Sequence, residues 1–76
     1  MPLFRISVVN HTISAGNEQE AASLEEARKQ GIKAAIAIGS DEITNGKSFF
    51  GAEVLVEDGE QTLERLIVAI GTSPLK

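Results

Sequence analysis

The segment that most restricts the architecture is Ser23-Leu24-Glu25-Glu26, because it starts a helix at a defined residue between stretches that alternate at strand spacing. Ser at the N-cap and Glu three residues later each satisfy a backbone N–H that the first turn leaves unpaired, and the two Glu side chains suit the positive end of the helix dipole. At about 100° per residue, Leu24, Ala27, Gly31, Ala34, Ala35 and Ile38 fall on one face and Glu26, Lys29, Gln30 and Lys33 fall opposite. Ile32 and Ile36 widen the apolar stripe at its flank. Gly39 is placed to end the helix as a left-handed C-cap. Gly31 costs about 1 kcal/mol relative to Ala in a helix interior, a cost offset where the small residue lets the helix lie close to a sheet.

Before the helix, Phe4, Ile6 and Val8 alternate with Arg5, Ser7 and Val9, the period of a half-buried strand. Asn10-His11 reads as a tight turn into a weak strand at Thr12, Ile13 and Ser14, since Asn tolerates the positive φ of such turns. Ala15 to Glu20 is small and polar and reads as a loop, with at most a short extended stretch from Glu20 to Ala22.

After the helix, Ser40 to Lys47 reads as a polar connection with a turn at Asn45-Gly46. Phe50, Ala52, Val54 and Val56 then alternate with Phe49, Gly51, Glu53 and Leu55, and Asp58-Gly59 turns the chain into a last strand from Thr62 to Ile70. Two registers are open. A two-residue loop sets Leu63, Arg65 and Ile67 beside the Phe50 face, whereas a bulge at Gly59 sets Leu66, Val68 and Ile70 there. The second is favoured, because it assembles one strongly apolar face and gathers Glu53 and Arg65 as cross-strand partners on the other. The expected fold is α+β, ββαββ, an antiparallel sheet with one helix packed on one face, in a single domain over residues 1–76.

Composition narrows the function classes. With 76 residues, such a chain buries only about 60% of the surface that it exposes when unfolded. Eleven acids against seven bases, a net charge of −4, and three Phe with no Trp or Tyr argue against a nucleic-acid surface, which depends on clustered Lys and Arg. Zero cysteines exclude disulfides and thiolate chemistry. The apolar runs Ala34 to Ile38 and Leu66 to Ile70 are far shorter than the roughly 20 residues of a membrane span. The N-terminus lacks the pattern of a signal peptide, so a cytoplasmic location without a membrane is expected.

Catalytic candidates are few. His11 is the only histidine, and a Ser-His-acid arrangement would need Ser7, Ser14 or a distant serine aligned on it with an acid behind. Asp41-Glu42 and Glu57-Asp58-Glu60 lack the alternation of oxygen ligands that a calcium loop carries, and the glycines form no phosphate loop. Arg28, at the edge of the apolar helix face, is expected to lay its stem on the sheet and pair with an acid. No enzyme activity, cofactor or metal is expected.

The sheet face away from the helix is the better candidate site. In the favoured register it carries Phe49, Glu53, Leu55, Leu63, Arg65 and Ile67, too apolar for a simple solvated face. Burying its large apolar side chains yields about 6 to 12 kcal/mol, against an association cost of about 4 to 15 kcal/mol. The expectation is a homodimer and a protein-interaction module, through this face or through a sheet edge that accepts a strand. A small-molecule-binding domain, with a pocket beneath Gly31 or at a dimer seam, is the alternative.

Leu24-Glu25-Glu26-Ala27-Arg28, Val54-Leu55-Val56 and Glu57-Asp58-Gly59 together resemble a family of short alphaproteobacterial, especially rhizobial, proteins catalogued as a domain of unknown function. The resemblance implies an N-terminal hairpin, a helix and a second hairpin, and brings no activity, cofactor or catalytic residue. The family's first-strand aromatic cluster is here reduced to Phe4, and its early acidic turn is replaced by Asn10-His11. A hairpin before a Leu-Glu-Glu-Ala helix is also similar to HicB-like antitoxin domains, although their Asp-Leu-Pro-Gly-Cys stretch has no counterpart here.

Overall fold

The computed structural model describes residues 1–75. Its elements are β1 (Leu3–Val9), β2 (Ser14–Glu20), α1 (Leu24–Thr44), β3 (Phe49–Asp58) and β4 (Gln61–Gly71). The strands form one antiparallel sheet in the order β2-β1-β3-β4, with α1 packed on one face against β1, β3 and β4. The fold is α+β with ββαββ order. The two long hairpin strands, β3 and β4, stretch the molecule to 49 × 21 × 16 Å.

Two apolar clusters lie between helix and sheet. Phe4, Ile6, Ala21, Ala27 and Val56 form one, and Val8, Ala35, Phe50, Ala52 and Val54 form the other. Every buried strand residue in them follows the two-residue alternation, while the helix contributes Ala27, Gly31, Ala35 and Gly39, one per turn. A Cβ on Gly31 would stand 2.5 Å from Val54 Cγ1, and one on Gly39 would stand 2.6 Å from Phe50 Cδ2 and 2.7 Å from Ile70 Cδ1. The helix therefore touches β3 through its own backbone at these two points.

Gly39 is thus a packing residue, and the expected C-cap there is corrected: α1 runs one and a half turns further. Its stop is the Asn45-Gly46 pair. Gly46, at φ +113°, donates its N–H to the Ile43 carbonyl, and the Lys47 N–H reaches Glu42. Those are the paired bonds of a Schellman ending, which needs a residue free to take positive φ. At the other end Ser23 is the N-cap as expected, its Oγ accepting from the Glu26 N–H at 3.2 Å. Ser23→Ala is expected to cost about 1 kcal/mol in a denaturant titration; an unchanged midpoint would mean that the cap adds nothing. On the helix surface Ala34 is exposed and Ile38 half-buried, so the apolar face is narrower than the periodicity implied.

The first hairpin departs from expectation in two ways. Residues 15–20, read as a loop, belong to strand β2, which pairs with β1 from Leu3↔Glu20 to Val9↔Ser14. Thr12 and Ile13 lie in the turn. Asn10 does not take positive φ. Its side chain does the work instead: Oδ1 accepts from the Thr12 N–H, the Thr12 hydroxyl and the Ile13 N–H, and Nδ2 donates to the Gly51 carbonyl of β3. One residue therefore closes the turn and ties it to the second hairpin.

In the second hairpin the favoured register holds over most of its length, with Val54↔Leu66, Ala52↔Val68 and Phe50↔Ile70 paired. Its cause is different. Gly59, at φ +62°, and Glu60 form a two-residue loop closed by Asp58↔Gln61, and the extra residue is Leu63, skipped between Glu57↔Thr62 and Val56↔Glu64. The loop starts one register and the bulge at Leu63 shifts it to the other.

Candidate interaction surface

The bulge decides which β4 side chains reach the helix-free face. Leu63 is turned to the helix side, where it packs half-buried on the Phe4, Ile6 and Val56 cluster. Its assignment to the exposed face is therefore corrected. Glu64, opposite the buried Val56, is on the helix side too, and Arg28 Nε lies 3.5 Å from its Oε1. This is the acid that the helix-edge arginine was expected to find.

The other proposed residues stay on the helix-free face. Glu53 and Leu55 alternate out of β3, and Arg65 and Ile67 out of β4, with Leu55↔Arg65 and Glu53↔Ile67 directly opposite. The ion pair runs diagonally: Arg65 Nε donates to Glu53 Oε2 at 2.7 Å. With the Arg65 side chain 67% exposed, the bond adds little to stability and serves to fix two long side chains against the sheet. Leu55 is half-buried between this pair and Ser7 of β1. Phe49 is 64% and Ile67 70% exposed.

Glycine shapes the apolar end of this face. A Cβ on Gly51 would meet the Phe49 ring at 3.1 and 3.3 Å, so one side of the ring leans over bare backbone while the rest stays open to water. Gly51 pairs with Ala69, and Ile67 follows one alternation further along β4. Phe49, Gly51, Ala69 and Ile67 thus make a low, continuous apolar surface. At the other end of the sheet, Glu18, Arg5 and Glu57 fall in one row across β2, β1 and β3. Apart from the exposed Leu3 beside Glu20, the face grades from charged to apolar along the strands.

Two depressions stand out among the described residues. A groove of about 320 Å³ runs between β2 and α1, lined by Ile6, Val8, Ala15, Asn17, Ala34 and Ile38 among others. It exists because the helix covers β1, β3 and β4 and leaves the inner side of β2 bare. The space beneath Gly31, where a ligand pocket was expected as an alternative, is filled by Val54 and Ile6. A smaller hollow of about 200 Å³ brings His11, Glu42, Lys47 and Phe49 together at the first turn, with neither Ser7 nor Ser14 in its lining. Among the described residues no group of three or more His, Asp or Glu is placed to hold a metal ion, and no helix is long and apolar enough to cross a membrane.

No protein-family model, curated protein or solved structure matches the chain. The family resemblance rests on the helix-opening, strand and turn motifs of the sequence alone.

Proposed function

We propose that the chain is a non-catalytic interaction module that associates with itself and presents the apolar end of its helix-free face to a protein partner. The observation that carries this reading is the exposure of Phe49 and Ile67 on one flattened surface with Gly51 and Ala69 between them. Large, low apolar patches rimmed by charge are characteristic of protein contacts. The compartment proposed with it is the cytoplasm, without a direct nucleic-acid or membrane partner. The His11 hollow offers no nucleophile paired with a base, and the β2 groove is open and poor in converging polar groups, so the reading is one of binding without chemistry.

The energetics say what such a contact must contain. With Leu63 in the core, the large exposed apolar residues at this end of the face are Phe49 and Ile67, whose burial yields about 3 to 6 kcal/mol. Association costs about 4 to 15 kcal/mol. The apolar patch alone meets only the low end of that cost, so across most of the range a stable pair must also use backbone hydrogen bonds or the helix flank. Because association stabilises the folded state by mass action, the thermal midpoint is expected to rise with protein concentration. Melting curves over a hundredfold concentration range test this; coincident midpoints would overturn self-association.

A further inference from the structure

β4 is the longest strand and lies at an edge of the sheet. The bond from the Thr72 N–H to the Ser48 carbonyl, at 2.9 Å, sets the phase of its ladder with β3. In an antiparallel ladder bonded pairs recur every second residue, so even-numbered residues from Leu66 onward bond to β3. Arg65, Ile67, Ala69 and Gly71 direct their N–H and C=O groups away from the sheet. The bond from Asn10 to the Gly51 carbonyl, made on the β1 side of β3, agrees with that phase.

Edge strands are ordinarily guarded by Lys, Pro, bulges, charge or a covering element. β2 carries Glu18 and Glu20, and Gln30 of the helix donates to the Glu20 carbonyl at 3.4 Å. From Glu64 to Gly71, β4 has neither Lys nor Pro, and its bulge at Leu63 lies before this stretch. Leu66, Val68 and Ile70 point to the helix side yet are only half-buried. The helix flank above them is apolar as well. Arg28, Ile32 and Ile36 project on one flank at helical spacing, and the contact of Arg28 with Glu64 identifies it as the β4 flank. Ile36 is 46% exposed. Backbone groups, inward side chains and helix flank are thus all open on the same side of the molecule.

We infer that the β4 edge pairs antiparallel with β4 of a second copy, about a twofold axis through Ile67, joining two sheets into one with both helices on the same face. This rests on the self-association proposed above and names its surface. A second copy fits for three reasons. Glu64 to Gly71 holds one acid and one base, so two such strands meet without net repulsion, whereas two β2 edges in a chain of net charge −4 would bring Glu18 and Glu20 of each together. With Ile67 opposite the partner's Ile67, Arg65 faces the partner's Ala69, and the two Arg65 side chains stand about 13 Å apart along the strands, beyond the ~8 Å screening length. A twofold contact also uses each β4 edge once and closes, leaving only the charged β2 edges outside.

The chain has no cysteine, so single cysteines report the pairing directly. Ile67→Cys is expected to form a covalent dimer with a short bis-maleimide, whereas Ala69→Cys, whose copies would lie about 13 Å apart, is not. Ala69→Pro removes an outward N–H and leaves the β3 ladder intact; it is expected to weaken dimerisation at least about tenfold with an unchanged circular dichroism spectrum. A dimeric parent in which Ile67→Cys fails to cross-link, or in which Ala69→Pro dimerises as the parent does while Phe49→Glu abolishes association, overturns the edge and places the contact on the face. A parent that stays monomeric overturns self-association itself.

Discussion

Gly31→Leu is expected to unfold the protein. The position is buried, and its Cβ alone would stand 2.5 Å from Val54 Cγ1 and 3.1 Å from Ile6 Cγ2. Val54 is fully buried, so the atom that must give way lies inside the close-packed core. Overpacking a core by a methylene group or more costs typically about 1 to 3 kcal/mol, and leucine adds further carbons behind the one that already overlaps. A chain of this length has about 4 to 11 kcal/mol in total to lose. Circular dichroism should show loss of the cooperative transition. Gly31→Ala is the graded control. It gains about 1 kcal/mol of helix propensity, so a net destabilisation would isolate the cost of forcing helix and sheet apart. A Gly31→Ala protein more stable than the parent would contradict the close approach of α1 to β3.

The second large effect is expected at Phe50. It is the largest fully buried side chain, 2% exposed, and fills the space where Gly39 meets β3. Phe50→Ala is expected to cost about 3 to 5 kcal/mol. Gly39→Ala should destabilise the parent, because its Cβ would sit 2.6 Å from the Phe50 ring. In the Phe50→Ala background that ring is gone and the added methyl enters the cavity, leaving only Ile70 Cδ1, the end of a flexible side chain, to give way. A double-mutant cycle by urea unfolding is therefore expected to show favourable coupling, in the range of about 0.5 to 3 kcal/mol that contacting residues display. Additive effects would mean that Gly39 and Phe50 do not share this space.

These two glycines show what could be read from the chain and what could not. The helix start was legible because Ser23 and Glu26 act on backbone within one turn. Its end was not. A glycine after an apolar stripe looks the same whether it caps the helix or lets it rest on a ring, and only Phe50 and Ile70, far along the chain, distinguish the two. β2 was missed for a related reason: Ser14 to Glu20 has no alternation, and its strand conformation comes from pairing with β1 at an edge where polar side chains meet water on both faces. The register of the second hairpin was legible in its result, since apolar Leu66, Val68 and Ile70 had to face the helix. Its device was not, because the skipped Leu63 answers to the distant cluster it packs against.

The same division holds at the surface. Alternation placed Phe49, Glu53, Leu55, Arg65 and Ile67 together, and the Glu53–Arg65 pair followed from register. Leu63 was placed wrongly by the bulge. The β4 edge needed strand order and ladder phase, and the flank formed by Ile32 and Ile36 needed the direction in which the helix crosses the sheet. Neither is a property of local sequence.

Sedimentation equilibrium of the parent chain over a wide concentration range bears most directly on self-association. Two copies of the 8.1 kDa chain joined at β4 should give a mass that climbs from that value to its double and stops there, because the twofold contact closes. A mass that stays at 8.1 kDa at every concentration, or one that rises past the dimer without limit, would contradict it.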